Sequence, residues 1–219
     1  MSIASALFYV PFIAMIILIQ FAPELTYSVM NVEQARSMES MYDPANSALG
    51  RERDSGSDIE MFGHYIRNNT GIGFQVFAGG MLYGIGTLFF LLFNGIFLGA
   101  AAGHLTQLGY IETFWGFVLG HGSFELTAIV ISGAAGLKLA QALIAPGRKS
   151  RIRALIDNGK IAIKIMYGAA TLFIIAAFVE AFWSSMPLPV MIKYSVAAFL
   201  WGLVIAYFWL VGRGYQHAA

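Results

Sequence analysis

The chemistry in this chain is concentrated in one run, Gly120-His121-Gly122-Ser123-Phe124-Glu125, set inside a strongly apolar stretch. On a helix, His121 and Glu125 stand one turn apart on the same face, and hydrocarbon offers neither of them a partner. Such a pair can relay a proton, supply two ligands to a metal, or act as acid and base in peptide hydrolysis within the membrane. A metal needs at least a third ligand. Glu180 and His104 are the further donors, and neither lies in a recognised zinc spacing such as H-E-x-x-H. The architectural alternative is that both side chains hydrogen-bond backbone freed by a glycine break and so hold a bend in place. That alternative is preferred at this level, so no catalytic residue, cofactor or metal is assigned.

Other polar residues fall at similar depth. Asn94, His104 and Glu180 join His121 and Glu125 as intramembrane candidates. Glu180 precedes Ser184 by four residues and can reach interfacial water or pair with Lys193, stapling a hairpin. Lys138 and Lys164 carry stems long enough to snorkel to the surface. Arg67-Asn68-Asn69-Thr70 leads into a long apolar run, where polar side chains can cap a helix start or line the mouth of a cavity.

The elements that position these residues are transmembrane. Of 219 residues, 58% are hydrophobic and 11% charged, a balance that a water-soluble domain of this size would not keep in solution. Ile3–Phe21, Phe74–Phe93, most of Ile161–Trp183 and Tyr194–Gly212 each approach the ~20 apolar residues of a spanning helix. The first has no basic leader or cleavage site and reads as an anchor. Cysteine is absent, which excludes disulfides and thiolate metal sites, and no pattern suggests nucleic-acid binding.

Five regions follow: a first span over 1–22, an acidic extramembrane loop over 23–70, interrupted spans over 71–145, a basic loop over 146–160 and a C-terminal hairpin over 161–219. In the loop, Asn31–Met41 and Ser57–Ile66 are expected to be short helices, Ser57 serving as an N-cap. The run from Gly71 to Gly103 has no charged residue. As one helix it would reach roughly 50 Å against a core of about 30 Å. Asn94-Gly95 is the expected break there, and Gly120-His121-Gly122 the expected break in Ile111–Ala145. Gly95, Gly99 and Gly103 form a small-residue ridge suited to close helix contact. Arg148, Lys149, Arg151, Arg153 and Lys160 place the basic loop in the cytoplasm, either as a solvated loop or as an amphipathic surface helix. An outside acidic loop gives six spans with both termini inside. An inside one gives five.

Taken in order, Tyr65-Ile66-Arg67-Asn68-Asn69, Phe77-Ala78-Gly79-Gly80, Asn94-Gly95, Gly103-His104, Gly120-His121-Gly122 with Glu125-Leu126-Thr127-Ala128-Ile129, Gly133-Ala134-Ala135-Gly136-Leu137 and Ala176-Ala177-Phe178-Val179-Glu180-Ala181-Phe182 resemble the stage II sporulation protein M family. The resemblance runs over nearly the whole chain. It implies a multi-pass protein of the bacterial cytoplasmic (inner) membrane, distantly similar to the membrane subunits of ABC exporters. In spore formers it implies a scaffold for a complex that includes cell-wall hydrolases. Longer relatives carry a cytoplasmic helical region before the first span, and this chain reads as a short form or one with a late start.

The expectation is therefore an all-α polytopic bundle of about five to six spans, with interrupted or re-entrant helices in the middle. Its expected role is non-enzymatic, positioning envelope complexes, with the lipid bilayer and other membrane or envelope proteins as partners and self-association left open. The alternative is a permease or channel-like subunit with Asn94, His104, His121, Glu125 and Glu180 along a polar path. A third reading, an intramembrane hydrolase, lacks a visible nucleophile.

Overall fold

The computed structural model describes residues 1–46, 49 and 58–214. Its elements are α1 (Ser2–Phe21), a single turn α2 (Thr26–Val29), α3 (Val32–Tyr42), α4 (Asp58–Ala78), α5 (Ile85–Gln107), α6 (Gly116–Ile144), α7 (Arg151–Phe178) and α8 (Val190–Gly214). Wide π-helical turns over Ile111–Trp115 and Val179–Ser184 extend α6 backward and α7 forward. No strand occurs among the described residues. Five helical runs are long and apolar enough to cross a membrane: Ser2–Phe21, Ile85–Gln107, Ile111–Ile144, Arg151–Ser184 and Val190–Val211. The chain is an all-helical, multi-pass membrane protein.

The glycine ridge does what its spacing predicts, and α1 is the helix that fills it. A Cβ at Gly95 would lie 2.4 Å from the Phe8 carbonyl oxygen, and one at Gly99 would lie 2.4 Å from that of Phe12. At Gly103 the nearest atom is the Ile16 Cα, 3.1 Å away. The contacts advance in the same sense along both chains, so α1 and α5 run parallel. Lipid tails are as apolar as the side chains, so backbone approach and dispersion at such a seam supply the association energy. The Gln20 amide closes the seam by donating to the Gly103 carbonyl oxygen at 3.0 Å.

Because α1 and α5 point the same way, the chain between them must return, and α4 makes that return. Met61 and Tyr65 pack with Ala177 and Ala181 near one end. Gly73 meets Phe173 further along, and Gly80 meets Gly136 at the other end. Its 21 residues extend about 30 Å at the α-helical rise. α4 is too polar to count among the five apolar runs, yet it travels through their depth, antiparallel to α7.

The break in the long uncharged run lies at Gly79–Gly84, not at Asn94-Gly95. There the backbone turns through Tyr83 (φ 52°) and Gly84 (φ 84°), and the start of α5 is fastened to the end of α4 by Thr87 Oγ1 donating to the Val76 carbonyl oxygen at 2.7 Å. Gly80 and Gly136 touch backbone to backbone, where any Cβ would strike the Gly136 carbonyl oxygen. Asn94-Gly95 sits inside an unbroken α5 because its glycine serves the α1 seam. Gly120-His121-Gly122 likewise lies inside an unbroken α6, where Gly120 makes room for the Trp183 ring.

Two further expectations change. The basic segment is neither a solvated loop nor a separate surface helix: from Arg151 it forms the first turns of α7, with Ser150 Oγ accepting from the Arg153 amide. Asp157 neutralises part of it, lying 2.7 Å from Lys149 Nζ and 3.4 Å from Arg153 Nε. The hairpin between α7 and α8 is stapled by Lys193, which donates to the Ser184 carbonyl oxygen at 2.8 Å and not to Glu180. In the acidic region α3 forms as expected, its start fixed by a reciprocal Asn31–Gln34 capping box. The second expected helix is the beginning of α4, and Ser57 lies outside the described residues.

A Gly99→Val variant should lose about 1–3 kcal/mol or more, because the α1 backbone cannot yield as a side chain would. The measurement is the melting temperature in detergent. Gly168→Ala, at a helix position with no atom within 4 Å of the added carbon, should melt at or above the wild-type temperature.

Candidate functional site

α6 and the last turns of α7 pack along one another and bring His121, Glu125 and Glu180 together. The unbroken α6 keeps His121 and Glu125 on one face, with Nε2 and Oε2 3.9 Å apart. The wide turn at the end of α7 delivers Glu180, whose Oε1 is 3.8 Å from the same Nε2. Ser184, one turn further, lies 3.1 Å by its Oγ from His121 Nδ1. The imidazole is thus held at one edge by a hydroxyl and faces two carboxylates at the other.

His121 and Ser184 are buried, 3% and 0% exposed, and the Glu125 and Glu180 side chains are partly buried, 15% and 12% exposed. The Glu180 Oε2 atom has no hydrogen-bond partner, and neither does the Nδ2 atom of Asn69, 2% exposed, whose side chain faces Glu180 from α4. Among the described residues, neither carboxylate pairs with a lysine or arginine. Lys193, buried nearby in sequence, directs its ammonium at the Ser184 carbonyl oxygen instead.

The cluster opens into a chamber of about 250 Å³. Its walls are mostly apolar, with Phe12 from α1, Leu98 and Ala102 from α5, Val118 from α6 and Trp201 from α8. Met38, Met41 and Tyr42 of α3 cover it from outside the bundle. Tyr42 is tied down by its carbonyl oxygen, which accepts from Thr113 Oγ1 at 2.7 Å, and its ring packs edge-on against Phe114 and Phe117. Burial, with the charges of Glu180, Tyr65 and Glu125 adding to it, pushes the Tyr42 phenol well above its ordinary range. Tyr42 therefore stands over the carboxylates as a neutral hydroxyl.

The five intramembrane candidates do not form one path. Asn94 spends its amide on the Phe90 carbonyl oxygen of its own helix, 2.7 Å away. His104 belongs to a second cluster, where Nε2 is 2.8 Å from Glu39 Oε1 and Nδ1 is 3.5 Å from Thr26 Oγ1. That cluster pins α2 and α3 to the end of α5. Arg67, Asn68 and Asn69 do not stand at a helix start. They lie within α4, Asn69 turned inward while Arg67 and Asn68 are exposed. With His64, Gly71 and Gln75 the exposed pair lines a shallow polar groove of about 300 Å³ on the outer face.

Sequence reasoning missed Ser184 and Tyr42 as members of the site. Ser184 carried a signal, its four-residue spacing from Glu180. Tyr42 carried none, since only tertiary packing brings α3 over the chamber. The tryptophans also do more than mark the interface: Trp201 donates to the Leu119 carbonyl oxygen at 3.1 Å and Trp115 to Thr106 Oγ1 at 2.9 Å.

A polytopic helical membrane protein with an apolar chamber and a histidine–dicarboxylate cluster on its wall is the class that this fold and site define. The chain belongs to the stage II sporulation protein M family, whose model matches residues 4–185. It is similar to an uncharacterized protein of Methanocaldococcus jannaschii, 28% identical over 123 residues, which cover 55% of this chain and 69% of the relative. No solved structure matches.

Glu39→Ala should leave the buried His104 ring one partner short and weaken the docking of α3 by about 1–3 kcal/mol. Limited proteolysis of the segment between α1 and α4 should then run faster than in wild type, while the α1–α5 seam keeps its protection.

Proposed function

We propose that this protein is a non-enzymatic scaffold of the bacterial inner membrane that positions other membrane or envelope proteins. The observation that carries this reading is the outer face of α4. His64, Arg67, Asn68, Gly71 and Gln75 line one groove, and it runs from the Tyr65–Ala181 contact toward the Gly73–Phe173 contact. That course takes it from the bilayer surface toward mid-depth. Lipid cannot satisfy a guanidinium and two amides there, and the cost is borne only where protein or trapped water covers them. A helix of a partner protein laid on this face would supply the missing acceptors and donors. The basic start of α7 sets the orientation by the positive-inside rule, with both termini in the cytoplasm.

A second reading, a transport subunit, is favoured by the convergence of His121, Glu125 and Glu180 on one chamber. Against it stands the separation of Asn94 and His104 from that chamber, so that among the described residues the five candidates do not line one polar path.

The absence of native cysteine makes the scaffold reading directly testable. A single cysteine at Asn68, carrying a photoreactive crosslinker, should join this chain to one discrete membrane protein in native membranes, and one at lipid-facing Phe199 should not. Crosslinks equal at both positions, or none at Asn68, would overturn the reading. Two differently tagged copies in the same cell distinguish a second copy of this chain from another protein.

A further inference from the structure

The cluster of His121, Glu125 and Glu180 has a geometry that hydrogen bonding does not account for. The nitrogen-to-oxygen separations of 3.9 and 3.8 Å exceed the ~2.7–3.2 Å of an N–H···O bond. They are a few tenths of an ångström above the spacing of neighbouring ligands around one ion: tetrahedral metal–nitrogen and metal–oxygen bonds of about 2.0–2.2 Å place such ligands roughly 3.3–3.6 Å apart. One ligand atom from each residue lies within 4.8 Å of the other two. The three side chains come from two helices and point at a common centre, and that centre faces the chamber.

The surroundings bear on what fills the centre. Among the described residues, the two carboxylates share a partly buried site with no lysine or arginine paired to either, and the Glu180 Oε2 atom is left without a hydrogen-bond partner. A divalent cation would neutralise both carboxylates and occupy the vacant lone pairs. Ser184 fixes the imidazole for this task. In the tautomer whose Nδ1–H donates to Ser184 Oγ, 3.1 Å away, the lone pair is on Nε2, the atom turned toward the carboxylates. An outer hydrogen bond of this kind is what metal-bound histidines ordinarily make.

We propose that His121 Nε2, Glu125 and Glu180 bind one first-row divalent transition-metal ion, with a further coordination position open to the chamber beneath Tyr42. One imidazole nitrogen and two carboxylate oxygens suit Zn²⁺ or Mn²⁺ better than Ca²⁺, which favours six to eight oxygens. The ion ties α6 to the end of α7. This site goes beyond the scaffold reading and does not depend on it, since the α4 face lies on another surface.

The full-length protein, purified in mild detergent without chelator, would be loaded with Zn²⁺ or Mn²⁺, desalted and assayed for metal by mass spectrometry, with dissociation constants from calorimetry. One ion per chain is expected. Glu180→Gln and Glu125→Gln, close in shape to the wild type, should each retain less than a tenth of it, and Glu112→Gln, which changes an exposed acid, should retain all of it. Ser184→Ala should weaken binding roughly 10–100-fold while keeping one site, as loss of an outer partner does. Size-exclusion profiles matching wild type establish that each variant is folded. Metal retained equally by wild type and Glu180→Gln would overturn the proposal. So would a folded wild-type protein that takes up neither ion, the result expected if the two carboxylates share a proton instead.

Discussion

Hydrocarbon offers no hydrogen bonds, and the arrangement of this molecule depends on that constraint. It requires each backbone group to be satisfied within a helix, and each polar side chain to turn inward or be covered. The same medium removes the hydrophobic drive for helices to associate, so they hold together by close approach. Both demands are met with glycine and small polar residues. Gly95, Gly99 and Gly103 bring α5 against the α1 backbone, and Gly80 and Gly136 bring the α4–α5 turn against α6. Because those approaches fix the helices tightly, the side chains carried between them have defined partners.

The parallel seam between α1 and α5 has a topological consequence. Two parallel neighbours joined by an intervening segment require that segment to cross back, and the helix that does so here, α4, is the most polar in the bundle's depth. Its inner face packs into the bundle, with Asn69 turned to Glu180 and Tyr65 packed on α7. Its outer face carries Arg67, Asn68 and Gln75, all exposed. On the scaffold reading proposed above, a crossing by α4 is cheap only when another protein covers that face, which would link the way the chain folds to a partner.

Much of this was legible in the residues. The apolar runs located α1 and α8 to within a few positions, the glycine ridge announced a helix contact, and Asn31–Met41 was legible as α3, whereas the run Phe74–Phe93 straddles the turn between α4 and α5. What misled was the assumption that glycine beside a polar residue breaks a helix. At Gly95 and Gly120 the missing Cβ serves packing, against Phe8 and Trp183, and spacing alone does not separate that use from a break. The true interruption at Gly79–Gly84 depends on a left-handed turn at Tyr83-Gly84, set in a stretch without a charged residue to mark it. Of the site, His121, Glu125 and Glu180 could be listed from sequence but not assembled, because α7's register against α6 is set by packing of Ala169, Phe173 and their neighbours in the shared core. Asn94 and His104 looked equivalent to them, and only their local partners, Phe90 and Glu39, show otherwise.

The wide turn over Val179–Ser184 positions two members of the site at once. An α-helix continued regularly to Ser184 would keep each backbone donor on its ordinary acceptor and the end of α7 straight. Widening the turn inserts an extra residue into the ring of hydrogen bonds, a local cost that isolated helices avoid and that recurs where function requires it. Here one widened turn presents both Glu180 and Ser184 to the two edges of the same imidazole, at Nε2 and Nδ1. It also leaves the Ser184 carbonyl oxygen free of the helix ladder to receive Lys193, so that the hairpin to α8 is fastened by the residue that orients the histidine. The site and the closure of the bundle thus share one turn of backbone, and a change in either is felt in the other.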